Sequence, residues 1–163
     1  MTICQVMALR AARNAGIAVP KSTIDRAITY VRQSQETDGG FKYMLDSTGS
    51  MFARSAAGVA ALQYAGLYDT TEIESGLKYL ERFLPGKTEE QTHYFYGQYY
   101  AAQAMFQAGG QRWNQWWPAI RDELIAKQSD DGSWRGQAGS EYGTSMALII
   151  LQIPKQMLPI FQR

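Results

Sequence analysis

Gln35-Glu36-Thr37-Asp38-Gly39-Gly40-Phe41 and Gln128-Ser129-Asp130-Asp131-Gly132-Ser133-Trp134 share the frame Gln-x3-Gly-x-aromatic and lie 93 residues apart. Each follows an amphipathic stretch and precedes one rich in small side chains, so each reads as a turn between two unlike helices. The long Gln amide can donate and accept at once, which suits the unpaired backbone groups of a helix end. The Gly permits a positive φ, and the aromatic two residues on can pack between helices. Gln35, Gly39, Phe41, Gln128, Gly132 and Trp134 are therefore expected to form two structural clasps. Asp130-Asp131 has the look of a carboxylate pair, but Asp-Asp-Gly is ordinary turn chemistry.

The helix stops extend this repeat. Ala15-Gly16, Ala65-Gly66 and Ala108-Gly109 are spaced 50 and then 43 residues apart, and Gly after a last helical turn supplies the left-handed position that ends it. Small-residue helices are expected over 2–14, 53–65, 91–108 and 142–152, the last stopped by Pro154. Charged, amphipathic helices are expected between them. Pro20 and Ser22 open the first, Thr70 or Thr71 caps the second, and the third runs from about Trp113 to Lys127. The charged helices align as Arg26-Ala27-x-x-Tyr30-Val31, Ser75-Gly76-x-x-Tyr79-Leu80 and Pro118-Ala119-x-x-x-Glu123-Leu124. Periods of this size indicate stacked or closed arrays of a supersecondary unit. The expectation is one all-α domain over 1–163 with about seven helices, small-residue members lining an interior and charged members outside. Residues 153–163 are expected to form an extended tail.

Arg26-Ala27-x-x-Tyr30-Val31-x3-Gln35-x3-Gly39-x-Phe41 resembles the QW repeat of squalene and oxidosqualene cyclases, found in looser form in protein prenyltransferase β-subunits. Leu124-x3-Gln128-x3-Gly132-x-Trp134 is similar, with Glu123 where the repeat usually has an aromatic. The middle unit keeps Gly76, Tyr79 and Leu80 but has Leu84 in place of the Gln. The resemblance covers nearly the whole chain at low detail. It implies an α/α toroid of concentric helices, of which three and a half hairpins would make a partial barrel. It also implies a cyclase Asp-x-Asp-Asp acid or a prenyltransferase zinc set of Asp, Cys and His. This sequence lacks the acidic run, and Thr2 stands where the zinc set would have an Asp two residues before Cys4. Catalytic residues, metal ligands and a cofactor are accordingly not assigned.

Composition narrows the partners. The 163 residues carry 16 basic and 15 acidic side chains with no basic block, so a nucleic-acid partner is not expected. No apolar run approaches the roughly 20 residues of a membrane span. A signal peptide is not expected from the first ten residues, and one cysteine excludes an internal disulfide while leaving the compartment open.

Ligand-binding residues are sought on the tyrosine-rich helix. His93, Tyr96, Tyr99, Tyr100 and Gln103 are spaced so that several share a face, which could line a cavity for an isoprenoid-like ligand; tyrosines at that spacing also suit a core with hydroxyls at its rim. Arg54, on an otherwise small-residue helix, could hold an anionic headgroup or pair with Glu141 or Glu90. Trp113, Trp116 and Trp117 are expected to anchor their helix. Two functions follow: a module binding an apolar ligand or a protein on a concave inner face, or a fragment of a terpenoid cyclase or prenyltransferase whose catalytic groups lie outside this chain. An uncovered inner wall exceeds the apolar patch usual for a monomer, so self-association, or a missing half of a toroid, is expected.

Overall fold

The computed structural model describes residues 2–87 and 92–157. Seven α-helices follow in order: α1 (Thr2–Asn14), α2 (Lys21–Gln33), α3 (Phe52–Tyr64), α4 (Thr71–Glu81), α5 (Tyr94–Ala108), α6 (Gly110–Ala126) and α7 (Ser140–Gln152). The described residues contain no β-strand. The fold class is all-α, and each expected helix is present with its ends moved by a few residues. The tail differs from expectation at its start, because Ile153–Lys155 forms a 3-10 turn. Pro154 fits there, at the beginning of a turn where its missing N–H leaves no bond unmade, and the turn buries Ile153. Residues 158–163 lie outside the described residues.

The local signals act as their chemistry requires. Gly16, Gly66 and Gly109 all take positive φ at helix ends. Thr70 caps α4, its hydroxyl accepting from the Ile73 amide, and Glu72 and Glu74 occupy the first turn, where the helix dipole favours negative charge.

Packing sorts the helices by composition. The small-residue helices α1, α3, α5 and α7 stack as successive neighbours, and α3 against α5 is the most extensive contact. Apart from half-buried Arg54, every residue of α3 is buried. Its alanines and Gly58 let α5 come close on one side and Phe41 on the other, where a Cβ at position 58 would strike the Phe41 ring. The charged helices are joined to one another by ion pairs. Arg32 of α2 meets Glu72 of α4 at 2.9 Å, and Arg112 of α6 reaches Glu74 at 2.8 Å and Glu81 at 2.7 Å on α4. These pairs are partly exposed, so each contributes at most about 1 kcal/mol. Burial of Leu77, Leu80, Trp116, Ile120 and Leu124 supplies the main attachment of α4 and α6 to the core.

Both clasps form, with the same local bonds. Glu36 N–H donates to Gly40 O and Ser129 N–H to Ser133 O; Gly39 N–H donates to Glu36 O and Gly132 N–H to Ser129 O. Asp38 accepts from the Gly40 amide and Asp131 from the Ser133 amide. The aromatic's own amide donates to a hydroxyl on the next helix, Phe41 to Ser55 and Trp134 to Thr144. Gln35 Nε2 donates to Gly39 O at 3.0 Å, and Gln128 Nε2 to Gly132 O at 2.9 Å. The copies differ in their bonds to the rest of the fold: Arg82 donates to Asp38 O at the first, and the Trp134 indole N–H to Leu124 O at the second. Gln35 Nε2 also donates to Glu72 O in the first turn of α4, at 2.9 Å.

That asymmetry sets an expected outcome. Gln35→Ala removes a bond between elements far apart in sequence and should cost about 1 kcal/mol more than Gln128→Ala, which removes only a local one. Urea unfolding of the two variants should therefore give a lower midpoint for Gln35→Ala at an unchanged slope.

Candidate functional site

The main cleft, of about 680 Å³, opens where the small-residue helices begin. Thr2 and Ile3 of α1, Ala53 and Arg54 of α3, Tyr94 to Tyr96 of α5 and Tyr142 of α7 all line it. Four helix N-termini thus converge on one space, and each brings unpaired amides and the positive end of its dipole. Tyr30 and Val31 of α2 form a side wall, and the loops holding Lys42 to Met44 and Gly136 to Ala138 form the rim. The surface is largely aromatic and thioether, with Tyr30, Phe95, Tyr96, Tyr142, Met44 and Met51 contributing. The charged residues lining it are Lys42 and Arg54, and no Asp or Glu is among the lining residues. A volume within the roughly 300–1,000 Å³ range of small-molecule sites, an apolar lining and a few polar groups are what a ligand cleft needs.

Arg54 is the pivotal polar group. Its Nη2 lies 3.4 Å from Gly49 O, and its Nε is buried without a hydrogen-bond partner among the described residues. No carboxylate among those residues pairs with it. Glu141 instead has its carboxylate near Ser140, and Glu90 lies outside the described residues. A buried guanidinium N–H without a partner is costly, and an acceptor entering the cleft would remove that cost. His93 precedes α5 in the left-handed region at φ 60°, makes no side-chain capping bond and is exposed.

The expected ligand residues divide into two groups. His93, Tyr96 and Arg54 line the cleft. Tyr99, Tyr100 and Gln103 do not; they lie in the packing between α1, α3 and α5. Gln103 accepts a short hydrogen bond from the Tyr64 hydroxyl and donates to Tyr99 O at 2.9 Å, while the Tyr100 hydroxyl reaches Met7 Sδ at 3.3 Å. Tyr100 sits edge-on to both Tyr96 and Tyr99. Helical spacing places residues 96, 99, 100 and 103 on one stripe, but the stripe runs from the cleft at its first turn into the core. Of the tryptophans, Trp116 is buried against the core, and Trp113 and Trp117 stack on each other at 5.4 Å between centroids.

The tyrosine cluster is held neutral. Burial, first, and the neighbouring phenols, second, push the Tyr64 hydroxyl well above its usual value near 10, and burial likewise raises Tyr96, Tyr99 and Tyr100. No three His, Cys, Asp or Glu side chains among the described residues are grouped to hold a metal ion. No helix of the described residues is long and apolar enough to cross a membrane.

Sequence periodicity does not reach the loop residues of the cleft. Lys42, Met44, Met51 and Gln137 stand outside any helix, and only the neighbouring starts of four small-residue helices hint that these loops gather at one end. Comparison of the chain with protein-family models, with curated proteins and with solved structures gives no match.

The raised tyrosines predict an alkaline weakness. In the unfolded chain they ionise from about pH 10, whereas the folded protein keeps them neutral, so their contribution is complete below pH 10 and falls as pH rises toward the folded values. Thermal stability should be flat from pH 7 to about 9 and decline above 10. Tyr64→Phe should shallow that decline, while lowering stability at pH 7 by about 1–3 kcal/mol because it removes the hydroxyl that Gln103 accepts from.

Proposed function

We propose that this chain is a section of an α/α-toroid-like helical repeat, resembling the squalene cyclase and prenyltransferase group, that binds an apolar ligand with an anionic end. The cleft at the N-terminal ends of α1, α3, α5 and α7 is the binding site. The single observation that carries this reading is the charge of its lining: aromatic and methionine side chains surround Lys42 and Arg54 with no carboxylate among them, although the chain as a whole is nearly balanced. The apolar body of the ligand lies against Tyr30, Phe95 and Tyr142. Its anionic end meets Arg54, whose Nε has no other partner among the described residues, with the positive ends of the helices adding to the attraction. Tyr96 and His93 flank the opening and set which polar groups fit.

Titration calorimetry with dodecanoate and dodecanol tests the proposal. Dodecanoate should bind saturably at one site, and more tightly than the alcohol. Arg54→Ala should weaken dodecanoate by about tenfold or more, the loss of a charge-assisted hydrogen bond of some 1.5–3 kcal/mol, and leave dodecanol nearly unchanged. Ala138→Trp, at the exposed rim, should obstruct both. Binding that is non-saturable, or indifferent to both substitutions, would contradict the assignment.

A further inference from the structure

Exposure grades the cleft from mouth to floor. Tyr43 and Met44 stand 70% and 48% exposed at its edge, whereas Val31, Phe41 and Gly58, which also line it, are buried. Arg54 lies between these levels, half-buried, with Nη2 turned to Gly49 O in the loop before α3. Residues 54 and 58 are four apart on α3, so they share a face, with Gly58 about 6 Å further along the axis. A ligand whose anionic end meets Arg54 buries its apolar tail by extending along that face toward Phe41, where the lining is buried.

Phe41 is fixed at that level by its surroundings. Its amide donates to the Ser55 hydroxyl at 2.8 Å. Its ring lies over Gly58 of α3 and near Gly76 of α4: a Cβ at 58 would come within 2.7 Å of the ring, and one at 76 within 3.5 Å. The ring thus occupies room that two missing side chains leave. Behind it the wall is closed, because Gly76 itself packs on Val59. The corresponding aromatic of the second clasp, Trp134, is not among the lining residues; its indole N–H donates to Leu124 O of α6 at 2.7 Å. Of the two clasp aromatics, then, Phe41 is the one that meets the cleft.

We infer that the Phe41 ring is the stop against which the ligand's tail ends, so that the first clasp sets the longest apolar chain the cleft admits. The inference rests on the proposed binding of an apolar ligand with an anionic end, and it narrows that class to single-chain amphiphiles of bounded length. Each methylene buried before the stop adds to affinity. A longer tail folds back or stays in water and adds nothing.

Calorimetry with unbranched alkanoates from octanoate to hexadecanoate, each kept below its micelle concentration, tests it. Wild-type affinity should rise about fourfold per added methylene up to a break and level off beyond it. Phe41→Ala, first shown to be folded by circular dichroism, should move the break to chains about two or more carbons longer, since the cavity left by a lost ring closes only in part. Shorter chains should bind it nearly as they bind the wild type. Where Phe41→Ala does not fold, Phe41→Leu, which keeps the position apolar, should shift the break in the same direction. In the wild-type protein, nuclear Overhauser contacts should place the terminal methyl of the chain at the break beside the Phe41 ring. Affinity that climbs through hexadecanoate without a break overturns the inference. So does a break that stays in place in a folded variant, or a terminal methyl that contacts Tyr43 and Met44 instead; these results leave the binding site standing. Absence of saturable binding by every alkanoate overturns both the stop and the site.

Discussion

One side-chain amide ties the local fold to the larger architecture. Gln35 Nε2 donates both to Gly39 O within its own turn and to Glu72 O at the start of α4. The first bond closes the clasp; the second fixes where the next charged helix begins. Because an amide nitrogen has two hydrogens in one plane, both bonds form only when turn and helix lie in one relative orientation. The close packing of Gly76 on Val59 and of Phe41 on Gly58 follows from that orientation, since each needs a missing Cβ on the facing helix. The bond energies are modest, and the buried apolar surface supplies the larger stabilisation. What the amide contributes is registration of that surface.

The same arrangement explains why the cleft lies where it does. Clasps lead the chain from a charged helix through a loop into a small-residue one and bond to its first turns at Ser55 and Thr144, so the starts of α3 and α7 lie beside clasp residues, and neighbouring helices bring the starts of α1 and α5 to the same end. Small side chains in the stack let α3 and α5 approach along their length and leave little room between them. The main cleft is left at the end where these helices begin, lined by the aromatic residues Phe95, Tyr96 and Tyr142. Arg54 enters that space in the first turn of α3, the one charged side chain on a helix that is otherwise buried. Its position makes the cleft a place where an apolar body and an anionic end can be met together.

Much of the architecture was legible in the sequence. The stops at Gly16, Gly66 and Gly109, the cap at Thr70 and the apolar spacing of α4 each have a local cause, so they are readable one segment at a time. The clasps were legible as turns, but not the bond from Gln35 to Glu72, which joins residues 37 positions apart. The site was less legible still. Helical spacing put His93, Tyr96, Tyr99, Tyr100 and Gln103 together, yet α1 covers part of that stripe: Met7 meets the Tyr100 hydroxyl, and Tyr64 of α3 takes up Gln103. Which turn of a helix faces a cavity depends on neighbours that periodicity does not name. Arg54 was recognisable as an exception within its helix, whereas the loop residues around it carry no pattern.

The central claim is that the two clasps are one device, the first covered by the start of α4 and the second, at Gln128 and Gly132, exposed among the described residues. Amide hydrogen exchange at Glu36 and Ser129 addresses it most directly, because these amides make equivalent bonds in the two clasps. Exchange from a covered clasp requires the larger opening, and exchange from an uncovered one only a local opening. Glu36 should be strongly protected and Ser129 weakly protected. Equal protection of both amides would contradict the account.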